Sequence, residues 1–298
     1  MFVSVRAGES ESDTHHGEVM HGSESITKRY YSLSEAAMLG WAPDGGMFWP
    51  AKIRPFPRDE LRAMATLSYP HLCAKILSRF VDGDTKLSES DVTQTVLRAF
   101  NAFGDNEVLK LSPLQESGVS VLELWHGPSL AFKDLGMSVL AALLSLLLRR
   151  RNGRLTLLVG TSGDTGSSAM EAVVTHGGEA LSVVVLYPLR SFSNVSRVQE
   201  LQMTRVAAAN ANVTAVGVEG SSDDLDVPIE DLFKDADFRK QHSIGSVNSV
   251  NVIRLIVQSV HYFWAYLRAH PACESSQTFV VPCGAGGNLS AGTLAIEL

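Results

Sequence analysis

Two glycine-rich segments of this 298-residue chain have the composition of anion-binding loops. GTSGDTGSS at 160–168 follows the apolar run LTLLV, and PCGAGGN at 282–288 follows the apolar run TFVV. Each of them precedes a stretch with helical spacing of apolar residues. Backbone amides at the start of a helix bind anions, so each segment predicts a site for a phosphate or a carboxylate.

Neither loop matches the motifs of the better-known glycine-rich sites. The first lacks the Gly-Lys-Ser/Thr of a P-loop, and Asp164 stands where the GxSxG motif of serine hydrolases needs glycine. The second has Leu289 at the last glycine of GxGxxG, so it is not a dinucleotide fingerprint. Two separate anion loops therefore favour a ligand with a phosphate and a carboxylate over NAD.

Lys133 is the candidate catalytic residue. It lies between Phe132 and Asp134, after an apolar strand and just before the longest apolar run of the chain, at 135–148. Partial removal from water favours the neutral amine, which is the form that reacts with an aldehyde to give a Schiff base. On this motif alone, a helix-start lysine whose ammonium reaches solvent is the other open interpretation.

These residues need elements that bring strand ends and helix starts together. After Pro113, short β-branched runs alternate with helical stretches, which is typical of an α/β fold with a mostly parallel sheet. Predicted strands cover residues 119–124, 155–159, 181–186, 213–218 and 279–281. Predicted helices cover residues 133–150, 165–176, 194–208, 225–240 and 249–269. Ligands of such sheets bind where strands end, so the junctions at 126–134, 160–168, 245–251 and 282–292 are expected to surround the site.

Spacing and composition also indicate the organisation and class of the protein. Apolar residues at helical spacing predict two or three helices between 58 and 103, so we expect a helical N-terminal lobe at 1–104 and an α/β region at 105–298.

A net charge of -7 with scattered basic residues argues against a nucleic-acid partner. The longest apolar run is shorter than the roughly 20 residues of a membrane span, and no signal-peptide pattern is present. We expect a cytoplasmic protein without a membrane or metal partner.

Five motifs, in order along the chain, carry a family resemblance: HGPSLAFKD, LVGTSGDTGSSA, VQELQMT, EGSSDDLDVPIEDLF and NSVNVIRLIVQ. They resemble the motif series of threonine synthases and threonine synthase-like proteins. Upstream, APDGGMFWP is similar to that family's APDGG motif, and VSVRAG to its STRG segment. The resemblance implies a fold-type-II pyridoxal-phosphate enzyme, tryptophan synthase β-like, with mostly parallel sheets and flanking helices behind a helical N-terminal lobe.

The resemblance also implies roles for single residues. Lys133 of the FKD motif would form the internal aldimine with pyridoxal 5'-phosphate, and Asp164 would contact the same cofactor. The cofactor phosphate would be held by the loop residues Gly284, Ala285, Gly286, Gly287 and Asn288. Ser162 and Thr165 would line the substrate side, with simple turn and capping roles as the alternative.

The start of the predicted helix at 249–269 is a candidate site for the substrate's leaving phosphate. A helix N-terminus attracts a dianion, and a guanidinium binds two of its oxygens at once. NSVN followed by Arg254 is similar to the family's NSIN-x-x-R motif, and Ser249 is the expected N-cap. The candidate residues are Asn248, Ser249, Asn251 and Arg254. The alternative is that they only cap the helix and anchor it to the adjoining lobe.

The chain departs from the family pattern at several positions. Biosynthetic enzymes have a GNFG-type loop, whereas residues 284–287 of this chain read GAGG. The GAGG loop is closer to that of the threonine synthase-like branch of animals. Ser129 stands where the family mostly has threonine, and Val5 replaces the threonine of STRG. The chain ends at Leu298, where family members continue, so we expect a C-terminally truncated form with low stability and weak cofactor retention.

The resemblance implies a lyase acting on O-phospho-L-homoserine and releasing phosphate. Both threonine and 2-oxobutyrate with ammonia stay open as products, and no oligomeric state is indicated. The alternative class is a catalytically inactive homologue that acts as a binding or signalling protein. A coloured protein that borohydride bleaches indicates the enzyme, and a colourless one that cannot be reconstituted indicates the binding protein.

Overall fold

The computed structural model describes residues 1–6, 29–104, 107–115, 118–161, 163–247, 251–284 and 286–298. The N-terminal part is helical, as predicted. Its helices are α1 (Leu33–Leu39), α2 (Arg58–Met64), α3 (Tyr69–Ser78) and α4 (Glu89–Phe100). Ser32 and Ser88 start α1 and α4 with capping boxes, in which the serine side chain and a carboxylate three residues later satisfy two free amides.

Two antiparallel strand pairs accompany these helices. β1 (Phe2–Ser4) pairs with β2 (Phe48–Pro50), and β3 (Lys110–Pro113) pairs with β4 (Ser120–Glu123). The predicted strand at 119–124 therefore exists, but it lies outside the parallel sheet. The β1–β2 pair was not predicted, because three-residue strands are too short to show an alternating pattern.

A four-stranded parallel sheet forms the centre of the second part. Its order is β7 (Val213–Val218), β6 (Leu181–Pro188), β5 (Leu155–Gly160) and β8 (Ile244–Ser246). The helices around it are α5 (Lys133–Arg150), α6 (Asp164–His176), α7 (Arg197–Ala209), α8 (Ser222–Lys234), α9 (Ala236–His242), α10 (Val252–Ala269) and α11 (Gly287–Glu297). The carboxyl ends of parallel strands point to one edge of the sheet, and α6 begins at that edge, directly after β5.

α5 is the central helix of the protein. Nearly all of its residues from Asp134 to Leu148 are buried, and it packs against α4, α6 and α10. A helix that is apolar all round must be covered on every side, so its N-terminal residue Lys133 is fixed in place by the core. Among the described residues, no helix combines the length and the apolarity that a membrane span requires.

Three predicted elements differ from the structure. The strand at 279–281 does not form: no described segment pairs with it, and Val280 is 94% exposed. The helix at 225–240 is two helices, because Asp235 leaves the helical conformation after α8 and its side chain caps α9. The helix at 249–269 begins at Val252, since Asn251 has an extended backbone and is the N-cap.

Candidate functional site

The loop before α5 is held by a buried carboxylate next to Lys133. Asp134 is 2% exposed and accepts hydrogen bonds from the Ser129 amide at 2.8 Å and from the Ser129 hydroxyl at 2.5 Å. Two donors on one carboxylate at a helix N-terminus satisfy the charge that burial would otherwise disfavour. The segment from Gly127 to Lys133 is thereby fixed, and so is the direction in which the lysine leaves the helix.

We expect Gly127→Ala to lower the free energy of unfolding by about 1–3 kcal/mol, the usual effect of overpacking. A Cβ at residue 127 would lie 2.5 Å from Oδ2 of Asp134 and 2.8 Å from Cε1 of Phe103, and both are buried. Urea unfolding of the variant measures the effect. Gly284→Ala is the matched control, because open space surrounds its Cβ position within the described residues. Equal losses in both variants would contradict the expectation.

Lys133 meets the first glycine-rich loop. Its Nζ lies 3.5 Å from Oδ2 of Asp164, the first residue of α6, and 4.7 Å from the centre of the Phe132 ring. The lysine side chain is 21% exposed, so the amine is partly withdrawn from water but still accessible. The junctions at 126–134 and 160–168 were predicted to meet, and the structure brings them together through this ion pair.

Gln199 on α7 is a residue of this site that the sequence analysis did not identify. Its Nε2 donates to Oδ1 of Asp164 at 2.8 Å, while its Oε1 accepts from the amide of Ser196, the N-cap of α7. The amide is therefore committed at both ends and orients the carboxylate that faces Lys133. The motif VQELQMT contains Gln199, but a glutamine three residues after a serine indicates only a capping box.

The second glycine-rich loop ends at the N-terminus of α11. Gly286 has φ +79°, a conformation that favours glycine, and α11 begins at Gly287 without a side-chain cap. The first amides of a helix have no partner within the helix. Among the described residues, no heavy atom lies within 4 Å of a Cβ built on Gly284 or Gly286. The loop therefore offers free amides and open space, as an anion site requires.

Asn288, in the first turn of α11, is bound from the side by α10. Its Oδ1 lies 3.0 Å from Nε2 of His261 and 3.0 Å from the hydroxyl of Tyr262, and its backbone oxygen accepts from the same hydroxyl at 3.0 Å. His261 is 2% exposed, and burial lowers its pKa to about 4, so the imidazole is neutral and Nε2 donates. Neither residue was predicted, because in the sequence they lie inside an apolar helix.

Acidification is expected to destabilise the protein through His261, by about 2–3 kcal/mol between neutral pH and pH 4. The imidazole takes up a proton near its ordinary pKa of 6.5 in the unfolded chain, but only near 4 in the fold. The unfolded state binds more protons in this window, so stability falls as the pH falls. Urea unfolding of the protein and of His261→Phe across this range measures the effect. A difference between the two that stays constant with pH would contradict it.

Two of the four predicted substrate-phosphate residues, Asn251 and Arg254, are described; they lie at the start of α10 and have hydrogen-bond partners within the protein. Oδ1 of Asn251 accepts from the Ile253 amide at 3.1 Å, and its Nδ2 donates to Ala37 O at 3.0 Å. Asn251, and not Ser249, is therefore the N-cap. Asn248 and Ser249 lie outside the described residues, as do Ser162 and Ala285 of the two loops.

Arg254 is a buried cation in the contact between α10 and α5. It is 1% exposed, its Nη1 donates to Val247 O at 2.8 Å, and burial lowers its pKa to about 10. Within the described part of the chain, its Nε has no hydrogen-bond partner. A Cβ built on Gly136 would lie 3.3 Å from the Arg254 Cα. The arginine therefore packs against the first turn of the helix that begins at Lys133.

The described contacts join some of the predicted site residues and leave others apart. Lys133 and Asp164 form an ion pair, while Thr165 follows in the first turn of α6 and is partly buried. No hydrogen bond or ion pair between described residues joins Lys133 to the second loop. The two are related through α10, which packs against both α5 and α11.

The chain is similar in sequence to threonine synthases and threonine synthase-like proteins. A family model described as "Threonine synthase N terminus" matches residues 23–100. Threonine synthase-like 2 of Pongo abelii is 42% identical over 267 residues, which cover 88% of this chain and 53% of that protein. Threonine synthase of Schizosaccharomyces pombe is 34% identical over 271 residues, which cover 88% of this chain and 51% of that protein.

Solved structures show the same likeness. The crystal structure of pyridoxal-phosphate-bound threonine synthase from Brucella melitensis superposes with a TM-score of 0.77 at 34% identity, over 89% of this chain and 55% of that one. The chain thus spans about half the length of the relatives that it matches. The motif series, the parallel sheet with its flanking helices and these likenesses show that the chain belongs to the threonine synthase-like family and has the fold-type-II architecture.

Proposed function

We propose that this chain is a cytoplasmic pyridoxal-phosphate-dependent lyase that acts on O-phospho-L-homoserine and releases phosphate. The observation that carries the proposal is the position of Lys133, an accessible amine at the start of the central helix, 3.5 Å from Asp164. The relatives support it, because they include threonine synthases, one of which was solved with pyridoxal phosphate bound.

The residues present fit this cofactor. Its aldehyde needs an amine, which Lys133 provides, and its phosphate needs backbone donors without partners, which the second loop provides at the N-terminus of α11. Gly284, Gly286, Gly287 and Asn288 would hold the phosphate, together with Ala285. When bound, the cofactor supplies the electron sink that makes the α and β protons of an amino acid removable.

Lys133 is proposed to move these protons. With cofactor and substrate bound, the free amine of Lys133 would accept and return protons at the α and β carbons of the substrate. Asp164 attracts the protonated amine between transfers and, held by Gln199, keeps it at one position. Ser162 and Thr165, in the same loop, are proposed to line the substrate side.

Phosphate leaves from the γ carbon of the substrate in this proposal. We propose that Arg254 contributes to its binding with Asn248, Ser249 and Asn251, since a guanidinium has five N–H donors and the described contacts use one of them. Asn251 would contribute by capping α10 and not by contacting the phosphate, because its side-chain amide already bonds to Ile253 and Ala37. Water addition at the β carbon then gives threonine. If hydrolysis removes the amino group instead, the products are 2-oxobutyrate and ammonia.

Product analysis tests the proposal. The purified chain, reconstituted with pyridoxal 5'-phosphate, is incubated with O-phospho-L-homoserine, and inorganic phosphate, threonine and 2-oxobutyrate are quantified. We expect one phosphate for each molecule of threonine or 2-oxobutyrate. O-phospho-L-serine, one carbon shorter with the same charged groups, is the control. A reconstituted, coloured protein that releases no phosphate from O-phospho-L-homoserine would overturn the proposal and leave a binding protein.

A further inference from the structure

The contact between α10 and the second glycine-rich loop is built from buried polar groups. His261 and Tyr262 are consecutive residues of α10, 2% and 7% exposed, and both bond to Asn288. Polar side chains at the buried face of an apolar helix are costly unless their hydrogen bonds are made. Here the bonds converge on one residue, in the first turn of α11.

Tyr262 is fixed in place by its surroundings. Its ring lies edge-on to Phe279 with centroids 5.0 Å apart, and a Cβ built on Gly292 would lie 3.1 Å from its Cζ. A glycine at residue 292 thus allows the tyrosine ring to lie directly against α11. The hydroxyl then bridges both oxygens of Asn288, the side-chain Oδ1 and the backbone O, at 3.0 Å each.

His261 is bound on one side only. Its Nε2 reaches Oδ1 of Asn288, while its Nδ1 is buried and has no hydrogen-bond partner among the described residues. A buried nitrogen without a partner costs about 1–3 kcal/mol. For stability alone, an apolar ring of the same size would serve better at this position, so the bond to Asn288 requires another explanation.

We propose that His261 and Tyr262 are positioning residues for the phosphate end of the cofactor: they hold Asn288, and through it the free amides at the start of α11, in the orientation that binds a phosphate. The inference rests on the proposed function and deepens it. Neither side chain contacts the reacting atoms. With both bonds to Oδ1 in place, the Asn288 amide is fixed so that its N–H groups remain available to a ligand.

Two substitutions separate this role from a structural one. Tyr262→Phe removes one hydroxyl and keeps the ring that packs against Gly292 and Phe279. His261→Phe removes the donor together with the unpartnered Nδ1, so the variant should be at least as stable as the natural protein at neutral pH. If one variant does not fold, the other decides. A residue that only stabilises the fold would lose stability and affinity together, whereas His261→Phe is expected to lose affinity alone.

The test compares three ligands on the full chain: pyridoxal 5'-phosphate, inorganic phosphate, and pyridoxal, which has the aldehyde but no phosphate. Phosphate binding is measured at the amide NMR signals of Gly287 and Asn288, and aldehyde binding by absorbance. We expect each variant to bind pyridoxal 5'-phosphate and phosphate about three- to tenfold more weakly, the effect of one hydrogen bond, and to bind pyridoxal as before.

Other results would overturn the inference. Unchanged phosphate affinity in the folded variants would show that the bonds to Asn288 have no such role, and an equal loss for pyridoxal would show a general effect on the site. A natural protein that binds phosphate at Gly287 and Asn288 but does not attach the aldehyde would refute the proposed function, and the phosphate measurements alone would then decide this inference. No binding of phosphate or of pyridoxal 5'-phosphate would overturn both.

Discussion

Lys133→Ala is expected to abolish covalent retention of pyridoxal 5'-phosphate and to lower phosphate release from O-phospho-L-homoserine by about 10³-fold or more. The lysine is proposed to have two roles, as the amine that holds the cofactor and as the base that moves protons. Among the described residues, no other lysine lies where the central helix meets a glycine-rich loop.

The matched control is Lys234→Ala. The Lys234 side chain is 71% exposed and pairs with Asp231 and Glu230 on the surface of α8. Exposed ion pairs of this kind contribute little to stability, so this variant should retain the colour and the activity of the natural protein. Loss of cofactor from Lys234→Ala, or covalent retention of the cofactor in Lys133→Ala, would contradict the assignment.

Arg254→Ala should lower the free energy of unfolding by about 3–5 kcal/mol, because it empties a buried site between α10 and α5. The substitution also leaves the carbonyl of Val247 without its donor. Urea unfolding measures the loss. Arg268→Ala is the control on the same helix: Arg268 donates to two backbone carbonyls, those of Ala65 and Leu67, but it is exposed. We expect the control to lose about 1 kcal/mol. Equal losses would contradict the buried role.

Arg254→Lys separates packing from ligand binding. A lysine keeps the charge and most of the stem, but it lacks the planar fork that binds two phosphate oxygens. If Arg254 binds the substrate phosphate, O-phospho-L-homoserine should bind the variant about 1.5–3 kcal/mol more weakly while the cofactor absorbance is unchanged. A folded Lys variant with an unchanged KM and kcat would leave Arg254 as a packing residue alone.

The sequence predicted those parts of the fold that local patterns determine. α5 has the predicted bounds, 133–150, because a largely apolar run is followed by three arginines at 149–151 and then by Asn-Gly. Asp164 follows β5 at the carboxyl edge of the parallel sheet, as the rule for such sheets predicts. Lys133 reaches Asp164 from the segment after β4, a strand outside that sheet, so the rule alone does not account for their contact. β5, β6 and β7 were predicted from β-branched runs, and each lies within two residues of its predicted ends.

Features that depend on distant contacts could not be predicted. β8 has three residues, IGS, and is a strand only because β5 lies beside it. Asn251 and Ser249 are equally good caps by residue type, and the hydrogen bond of Asn251 to Ala37 comes from 214 residues away. His261 bonds to Asn288, 27 residues later, across two packed helices, and no local pattern indicates such a pair. At 279–281 the residues favour a strand, but no described segment supplies a partner for it.

The central claim is that Lys133 holds the cofactor, and a peptide map tests it most directly. The natural protein is reconstituted with pyridoxal 5'-phosphate, reduced with borohydride, digested and analysed by mass spectrometry. Reduction fixes the cofactor to whichever amine held it. We predict a single modified peptide with the pyridoxyl group on Lys133. A pyridoxyl group on Lys110 or Lys234, or a protein without any modified peptide, would contradict the account.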